Sequence, residues 1–163
     1  MSPHLNGNGL GGAVLPPPLR RDVCNVVRVK LLNLDHVAIA VRDLDAVVAG
    51  YRDRYRVEPL YREVVEEQGV EEAMIPVGGS FVQLLKPLGL DTPVGRFLEK
   101  KGEGLHHVAY AVTNIEAALS HLRESGARLI DESPRMGGRG TRIAFVHPAD
   151  LGGTLIELVE LQP

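Results

Sequence analysis

One short stretch occurs twice in this chain, and this internal repeat constrains the fold more than any other feature. Residues 34–41 have the sequence LDHVAIAV, and residues 105–112 have the sequence LHHVAYAV. The two stretches are 71 residues apart, and at that offset His36 aligns with His107. Each half also ends in a matching apolar run, at residues 81–85 and 155–159. Because repeats of this kind determine the architecture, the chain is predicted to contain one structural module twice.

Both repeated stretches alternate with period two, which is the pattern of a β-strand with two distinct faces. In the first strand, His36 shares a face with Ala38 and Ala40, and the opposite face can pack under a helix. His107 has the equivalent position in the second strand, whereas alternation directs His106 to the helix side. The small alanines leave open space beside each histidine. Two matched histidines next to open space indicate a functional role more strongly than a role in the core.

The segments between the repeated strands complete each module as a β-α-β-β-β unit. The predicted elements of the first module are a helix over residues 43–56 and strands over residues 57–64, 69–77 and 81–86. Those of the second module are a helix over residues 114–125 and strands over residues 127–131, 141–147 and 154–160. The predicted fold class is therefore α+β, with two tandem βαβββ modules that form a curved mixed sheet.

The domain boundaries follow from this repeat. Residues 1–30 are predicted to be a disordered N-terminal extension, because residues 1–18 are rich in Gly, Asn and Pro. Residues 31–163 are predicted to be a single domain. Its parts are module 1 at residues 33–89, a linker helix at residues 90–103 and module 2 at residues 104–161.

Composition restricts the classes of partner and the cellular compartment that we expect for this chain. The net charge of −3 gives no reason to expect nucleic acid or a membrane surface as a partner. No apolar stretch approaches the length of a membrane span. The single cysteine, Cys24, excludes a disulfide within one chain, so we expect the reducing conditions of the cytoplasm.

Four side chains of the two modules are candidates for one metal site. His36 and His107 begin the modules, and Gln83 and Glu157 lie in the strands that end them. If the modules face each other across a pseudo-twofold axis, these four side chains converge. Imidazole nitrogen and carboxylate or amide oxygen suit a divalent ion that keeps open positions for a substrate. The alternative for Gln83 is an ordinary strand residue that hydrogen-bonds to a neighbour.

The sequence resembles the vicinal oxygen chelate superfamily, and within it the methylmalonyl-CoA epimerases. The resemblance covers residues 33–160. The motifs that carry it are LDHVA at residues 34–38, EQGV at residues 67–70 followed by Glu72, GLHH at residues 104–107, RI at residues 142–143 with Phe145 before His147-Pro148, and LIEL at residues 155–158. The stretch around Glu72 is specific to the epimerases, whereas the His and Glu positions are common to the superfamily.

By this resemblance, the divalent ion would be bound by His36, Gln83, His107 and Glu157. Glu72 and Glu157 would be the catalytic acids and bases. The reaction implied is the epimerisation of methylmalonyl-CoA by proton transfer at carbon 2 through an enolate. The resemblance further implies an acyl-CoA substrate, a homodimer and Co²⁺ as the ion, with Zn²⁺, Mn²⁺, Ni²⁺ and Mg²⁺ as alternatives. A close homologue such as ethylmalonyl-CoA fits the sequence equally well.

The pattern of the chain supports the role of Glu72. In the strand over residues 70–77, alternation directs Glu72 to the face assigned to the cleft and Glu71 to the opposite face. Near the glycine-rich loop over residues 134–140, Arg142 and Arg139 are candidates for binding the anionic substrate. The alternative for Arg139, as for Arg135, is a loop charge in solvent.

Two other functions fit the same residues. His36, His107 and Glu157 alone form a set of two histidines and one carboxylate, as in a glyoxalase or an Fe(II) extradiol-type dioxygenase. In that case Gln83 and Glu72 have no catalytic role. The third candidate is a metal-free small-molecule binding module. Such a module has no need of the matched set of ligands, so their presence argues against it.

Overall fold

A computed structural model of the chain describes residues 30–150 and 152–161. The predicted N-terminal extension therefore lies, apart from Lys30, outside the described residues. Within these ranges the elements are β1 (Leu34–Ala40), α1 (Leu44–Tyr55), β2 (Tyr61–Val65), β3 (Val70–Val77), β4 (Ser80–Pro87), α2 (Pro93–Lys101), β5 (Gly104–Val112), α3 (Ile115–Glu124), β6 (Arg135–Met136), β7 (Arg142–Val146) and β8 (Ile156–Glu160). None of these helices is long and apolar enough to cross a membrane.

The strands of the described residues form one mixed sheet in the order β2-β3-β4-β1-β5-β8-β7-β6. β1 and β5 pair antiparallel at its centre, β1 pairs parallel with β4, and β5 pairs parallel with β8. The order of strands outward from the centre is thus the same in both halves. This arrangement confirms the predicted fold of two tandem modules in a curved mixed sheet.

Two predicted strands differ from the observed ones. The strand predicted from residue 57 begins at Tyr61, because the turn after α1 contains Arg56 in the left-handed conformation and a proline at position 59. The strand predicted over residues 127–131 is reduced to one isolated bridge, between Leu129 and Val146. Here the Asp131 carboxylate accepts the backbone N–H of Phe145, so a side chain replaces a ladder hydrogen bond. The predicted glycine-rich loop, in turn, contains the short strand β6.

The helices cover different faces of the sheet. α1 packs Leu44 and Val48 against the first half, and α3 packs Ile115 and Leu119 against the second half. α2 instead packs on the face that carries Ala38 and Ala40, through two further apolar side chains, Val94 and Leu98. The space predicted above these alanines is therefore filled by α2 on one side.

The pairing of β1 with β5 is irregular at two equivalent points. Its register shifts at Asp35 on β1 and at His106 on β5, so neither residue has a direct partner across the ladder. These two residues are 71 positions apart and thus occupy the same position of the repeat. A β-bulge re-aims the side chain that it carries. The prediction that His106 follows simple alternation is wrong for this reason.

Candidate metal centre and active site

Three buried side chains meet at the centre of the sheet. The Nε2 atoms of His36 and His107 are 3.1 Å apart. Each of them lies 3.0 Å from Oε2 of Glu157. His36, His107 and Glu157 are 3–4% exposed. The three residues thus converge on one point, as the sequence predicts.

The strand register explains why these side chains meet. The candidate ligands and alanines alternate across neighbouring strands in two rows, and both rows lie on one face. The rows are Gln83, Ala38 and His107, and His36, Ala109 and Glu157. Because each alanine lacks atoms beyond Cβ, the long side chains on both sides can lean over it toward a common point. The alanines of the repeat thus create the room for the site.

The donor set fits a divalent ion. Ligands at about 2.1 Å from an ion and at right angles to each other are about 3.0 Å apart. The three observed separations of 3.0 to 3.1 Å match this value. Oε2 of Glu157 is buried and makes no hydrogen bond of good geometry among the described residues, although two ring nitrogens lie beside it. Although the two Nε2 atoms lie at hydrogen-bond distance from each other, Oε2 of Glu157 has no hydrogen-bond partner of good geometry among the described residues and is therefore left to bind an ion.

Gln83, which lines a cavity together with His36 and Glu157, supplies a fourth candidate donor atom, its amide oxygen. Its Nε2 donates to Oε2 of Glu72 at 2.7 Å. Its Oε1 is buried and has no hydrogen-bond partner among the described residues. Because the amide nitrogen is engaged by Glu72, the oxygen is the atom left to bind an ion. The structure thus shows the hydrogen-bonded strand residue of one alternative, and the ligand role of the other alternative stays a prediction.

Each central imidazole is anchored through its other ring nitrogen. Nδ1 of His36 lies 2.7 Å from Oδ1 of Asp35, and Nδ1 of His107 lies 2.9 Å from Nδ1 of His106. Sequence reasoning assigned no role to Asp35 or His106. The signal was present in the repeat, because each residue directly precedes its histidine.

The electrostatics couple the three central groups. Burial alone would lower the pKa of His36, but the hydrogen bond that it donates to Asp35 and the Glu157 carboxylate raise the pKa to about 9. Burial alone would raise the pKa of Glu157, but the charges of His107 and His36 lower the pKa to about 2. The carboxylate is thus ionised and His36 holds a proton at neutral pH. An ion that binds here displaces that proton.

Two further carboxylates, those of Glu72 and Glu63, lie beside the centre. Glu72 is 1% exposed, and burial together with the charge of Glu63 raises the pKa of Glu72 to about 7. Glu63 is directly opposite Glu72 in the β2–β3 ladder. Gly138 covers both, since a Cβ at this position would lie 2.8 Å from Oε1 of Glu72. Sequence reasoning found Glu72 and missed Glu63. By contrast, Glu71 forms surface ion pairs, as its predicted direction implies.

A cavity of about 350 Å³ opens beside these groups. Its polar lining includes His36, Gln83, Glu157, Asp35, Tyr61, Gln68, Thr141 and Arg139. The guanidinium of Arg139 lies 4.7 Å from the centre of the Tyr61 ring. Arg142 does not line this cavity, because its guanidinium forms ion pairs with Glu116 and Glu160 beside α3. Of the two predicted substrate-binding arginines, the fold brings only Arg139 to the cavity.

Comparison with known proteins gives consistent matches. The sequence pattern of the glyoxalase/bleomycin resistance protein/dioxygenase superfamily matches residues 35–145. An ethylmalonyl-CoA/methylmalonyl-CoA epimerase of Cereibacter sphaeroides is 39% identical over 131 residues, which is 79% of this chain and 98% of that protein. The mitochondrial methylmalonyl-CoA epimerase of Bos taurus is 39% identical over 127 residues, which is 77% of this chain and 73% of that protein. A solved methylmalonyl-CoA epimerase in complex with methylmalonyl-CoA and NH4+ is 44% identical, with a TM-score of 0.77 over 80% of this chain and 95% of that one.

Proposed function

This chain belongs to the glyoxalase/bleomycin resistance protein/dioxygenase superfamily and, within it, to the methylmalonyl-CoA epimerases, and from this premise we propose how it works. The protein is an isomerase that interconverts the (2R) and (2S) epimers of methylmalonyl-CoA, or of a close homologue such as ethylmalonyl-CoA. The observation that carries the proposal is the hydrogen bond between Gln83 and Glu72. It joins a buried carboxylate, whose pKa is about 7, to the group of candidate metal ligands.

The metal site of the proposal consists of His36, His107, Glu157 and Gln83. Imidazole and carboxylate ligands suit a borderline divalent ion, and Co²⁺ is the ion that we propose. When bound, the ion supplies a Lewis acid that stabilises negative charge on the thioester oxygen of the enolate. Its donors have one full negative charge among them, that of Glu157, because Gln83 is neutral. This low ligand charge leaves the ion a stronger Lewis acid.

Glu72 is the base of the proposed reaction. A carboxylate with a pKa near the working pH can both take and return a proton, and burial gives Glu72 this value. It removes the proton from carbon 2, which lies between the thioester and the free carboxylate. The electron pair of the broken C–H bond passes to the thioester carbonyl and forms the enolate. Delivery of a proton to the opposite face of carbon 2 gives the other epimer.

The second acid of the proposal is Glu157. It lies in the other half of the repeat from Glu72, as two groups on opposite sides of carbon 2 require. Its low pKa makes it a weak base while it contacts His36 and His107. We therefore propose that Glu157 acts first as a ligand. When bound substrate moves it from the centre, its carboxylate takes a proton from water and delivers that proton to carbon 2, and Glu72 returns the proton that it removed to water.

The substrate itself is anionic, and the described lining of the cavity offers the guanidinium of Arg139 to match it. Arg139 lines the cavity and is held over the ring of Tyr61. We propose that Arg139 contacts the carboxylate or a phosphate of the acyl-CoA. Arg142 is engaged by two carboxylates and is left out of this proposal. A homodimer in the cytoplasm remains part of the prediction.

The two alternatives from the sequence make different demands on the same residues. A glyoxalase or an Fe(II) extradiol-type dioxygenase needs the triad of His36, His107 and Glu157 but gives Glu72 no task. A metal-free binding module has no use for donors that are spaced to fit an ion. The buried Glu72 carboxylate, whose pKa is raised by burial and by the charge of the neighbouring Glu63, is costly to fold. That cost is reasonable in an enzyme that moves a proton, so we favour the epimerase.

Proton exchange at carbon 2 tests the proposal. Methylmalonyl-CoA and ethylmalonyl-CoA are incubated separately in deuterated water with the protein, stripped of metal or reloaded with Co²⁺. We expect deuterium at carbon 2 by mass spectrometry with the reloaded protein and a strongly reduced rate with the stripped one. Absence of exchange with both substrates in the reloaded protein would refute the epimerase.

A further inference from the structure

The two central histidines are anchored in the same way by the residue that precedes each of them. We propose that His106 is a positioning residue of the metal centre, which accepts the Nδ1–H of His107 and so keeps Nε2 of His107 free to bind a divalent ion. Asp35 does the same for His36 in the first half. The inference rests on the metal site of the proposed function, but it concerns ion binding and not the reaction.

The contact itself is specific. Nδ1 of His106 lies 2.9 Å from Nδ1 of His107, while Nε2 of His107 lies 3.0 Å from Oε2 of Glu157. One ring nitrogen of His107 thus faces the centre and the other faces His106. Two Nδ1 atoms at hydrogen-bond distance need one donor and one acceptor. An ion needs the lone pair of Nε2, so the proton of His107 belongs on Nδ1 and His106 accepts it.

The backbone is built to present His106 in this way. Simple alternation would turn successive residues of β5 to opposite faces of the sheet. The bulge at His106 interrupts this alternation and brings its ring beside that of His107. β1 has a bulge at the equivalent residue, Asp35, which contacts the equivalent histidine. Because the same irregularity recurs with the same contact in both halves, the His106 contact follows the plan of the repeat.

The ring of His106 is also held from its far side. The Phe97 ring of α2 packs edge-on against it with the centroids 4.9 Å apart, and His107 packs edge-on at 5.2 Å. The ammonium of Lys101 in turn lies 5.6 Å from the centre of the Phe97 ring. This packing fixes the plane of His106 and therefore the direction of its hydrogen bond. A helix that links the two halves thus helps to orient a ligand.

The two anchors differ in charge, and the difference has a chemical consequence. A carboxylate partner makes an imidazole a stronger electron donor, whereas a neutral imidazole does so less. His36, anchored by Asp35, is thus the stronger ligand, and His107 the weaker one. The neutral anchor adds no negative charge, so the ion remains a better Lewis acid. The ligand class expected is a borderline divalent cation that prefers imidazole, such as Co²⁺ or Zn²⁺.

Metal affinity tests this inference. In His106→Leu the acceptor is lost and the bulk is retained in part, whereas His106→Asn retains an acceptor oxygen near the position of Nδ1. The matched control is His147→Leu, because His147 and His106 both line a second cavity, which is separate from the cavity beside the candidate metal centre. The Kd for Co²⁺ is measured on the full-length protein by competition with a chromophoric chelator, and the visible absorption of bound Co²⁺ is recorded. Circular dichroism before metal addition verifies folding.

We expect His106→Leu to weaken Co²⁺ binding about 10- to 100-fold, the usual effect of losing an outer partner of a ligand histidine. His106→Asn should bind within about threefold of the wild type, as should His147→Leu, by the same reasoning. A folded His106→Leu with wild-type affinity and spectrum would overturn the inference. So would equal weakening in His106→Asn and His106→Leu, because a lost ring and not a lost acceptor would then be the cause. Neither result would affect the exchange assay, which tests the epimerase separately.

Discussion

Replacing Glu72 with glutamine should remove activity and at the same time stabilise the protein at alkaline pH. The side chain is 1% exposed, and its pKa is raised from 4.5 to about 7. Glutamine has nearly the same shape and can still accept the hydrogen bond of Gln83. It cannot take a proton from carbon 2. Loss of a general base of this kind typically costs about 10²- to 10⁴-fold in rate.

The effect on stability follows from the same pKa. Because the folded-state pKa of Glu72 exceeds its unfolded value, folding favours the protonated form. The ionised carboxylate of Glu72 therefore destabilises the folded state. This contribution is absent below pH 4.5, grows as pH rises, and is complete above about pH 7. At about 1.4 kcal/mol per pH unit, the full contribution is about 3 kcal/mol. The Glu72→Gln protein should therefore match the wild type at low pH and exceed it by up to about 3 kcal/mol at pH 8.5.

Urea unfolding of metal-stripped protein at pH 5 and pH 8.5 measures this difference, and deuterium exchange into the substrate measures activity. The control is Glu71→Gln, because Glu71 is the neighbour on the opposite face and pairs with Arg62 and Lys86 at the surface. It should retain activity and change stability by less than about 1 kcal/mol. The reasoning would be refuted if Glu72→Gln kept more than about a tenth of the wild-type rate, lost Co²⁺, or showed the same stability difference at both pH values.

Five further predictions follow from the described contacts. Glu157→Gln should weaken Co²⁺ binding by at least about 100-fold in equilibrium dialysis, more than loss of an outer partner does; unchanged binding would exclude Glu157 as a ligand. The Co²⁺ affinity of the wild type should rise with pH up to about 9, because the ion displaces the proton of His36. Titration calorimetry at several pH values measures this affinity, and an affinity that does not change with pH would contradict the prediction. In metal-stripped protein, the stabilising effect of His36 is present below pH 6.5 and should be lost as pH rises through about 9. Urea unfolding of the wild type and of His36→Asn at several pH values measures this difference in the free energy of unfolding, and a difference that does not change with pH would contradict the prediction. Gly95→Ala should destabilise the protein by about 1–3 kcal/mol, because its Cβ would clash with the backbone carbonyl oxygen of Gly89, and an unchanged melting temperature would contradict this contact. Arg139→Leu should raise KM for the acyl-CoA several-fold while Arg135→Leu does not, and equal KM values in steady-state assays would remove Arg139 from the substrate site.

The repeat made the fold and the central donors predictable. Period-two alternation assigns His36 and His107 to one face, and the equivalence of the halves brings these two strands together. The same alternation separates Glu72 from Glu71 on β3. These predictions succeeded because they need only the direction of a side chain from a regular strand, which the sequence pattern encodes.

The outer contacts were not predictable for three different reasons. Asp35 and His106 lie at bulges, where alternation does not apply. Glu63 contacts Glu72 through the register of two strands, which sequence alone does not determine. Arg142 is drawn from the cavity by acidic residues near α3. Each of these contacts depends on how two elements pack together and not on the sequence pattern of a single element.

The seam between β1 and β5 joins the two halves of the molecule, and the candidate ligands lie on both sides of it. An ion held by His36 from one half and by His107 and Glu157 from the other can bind only while the halves are docked. Its binding energy therefore adds to the cohesion of the duplicated units. At a free ion concentration of about 100 times Kd, this adds about 2.7 kcal/mol to stability. The melting temperature would then track the logarithm of metal supply, so that starvation for the ion would lower the amount of folded protein as well as its activity.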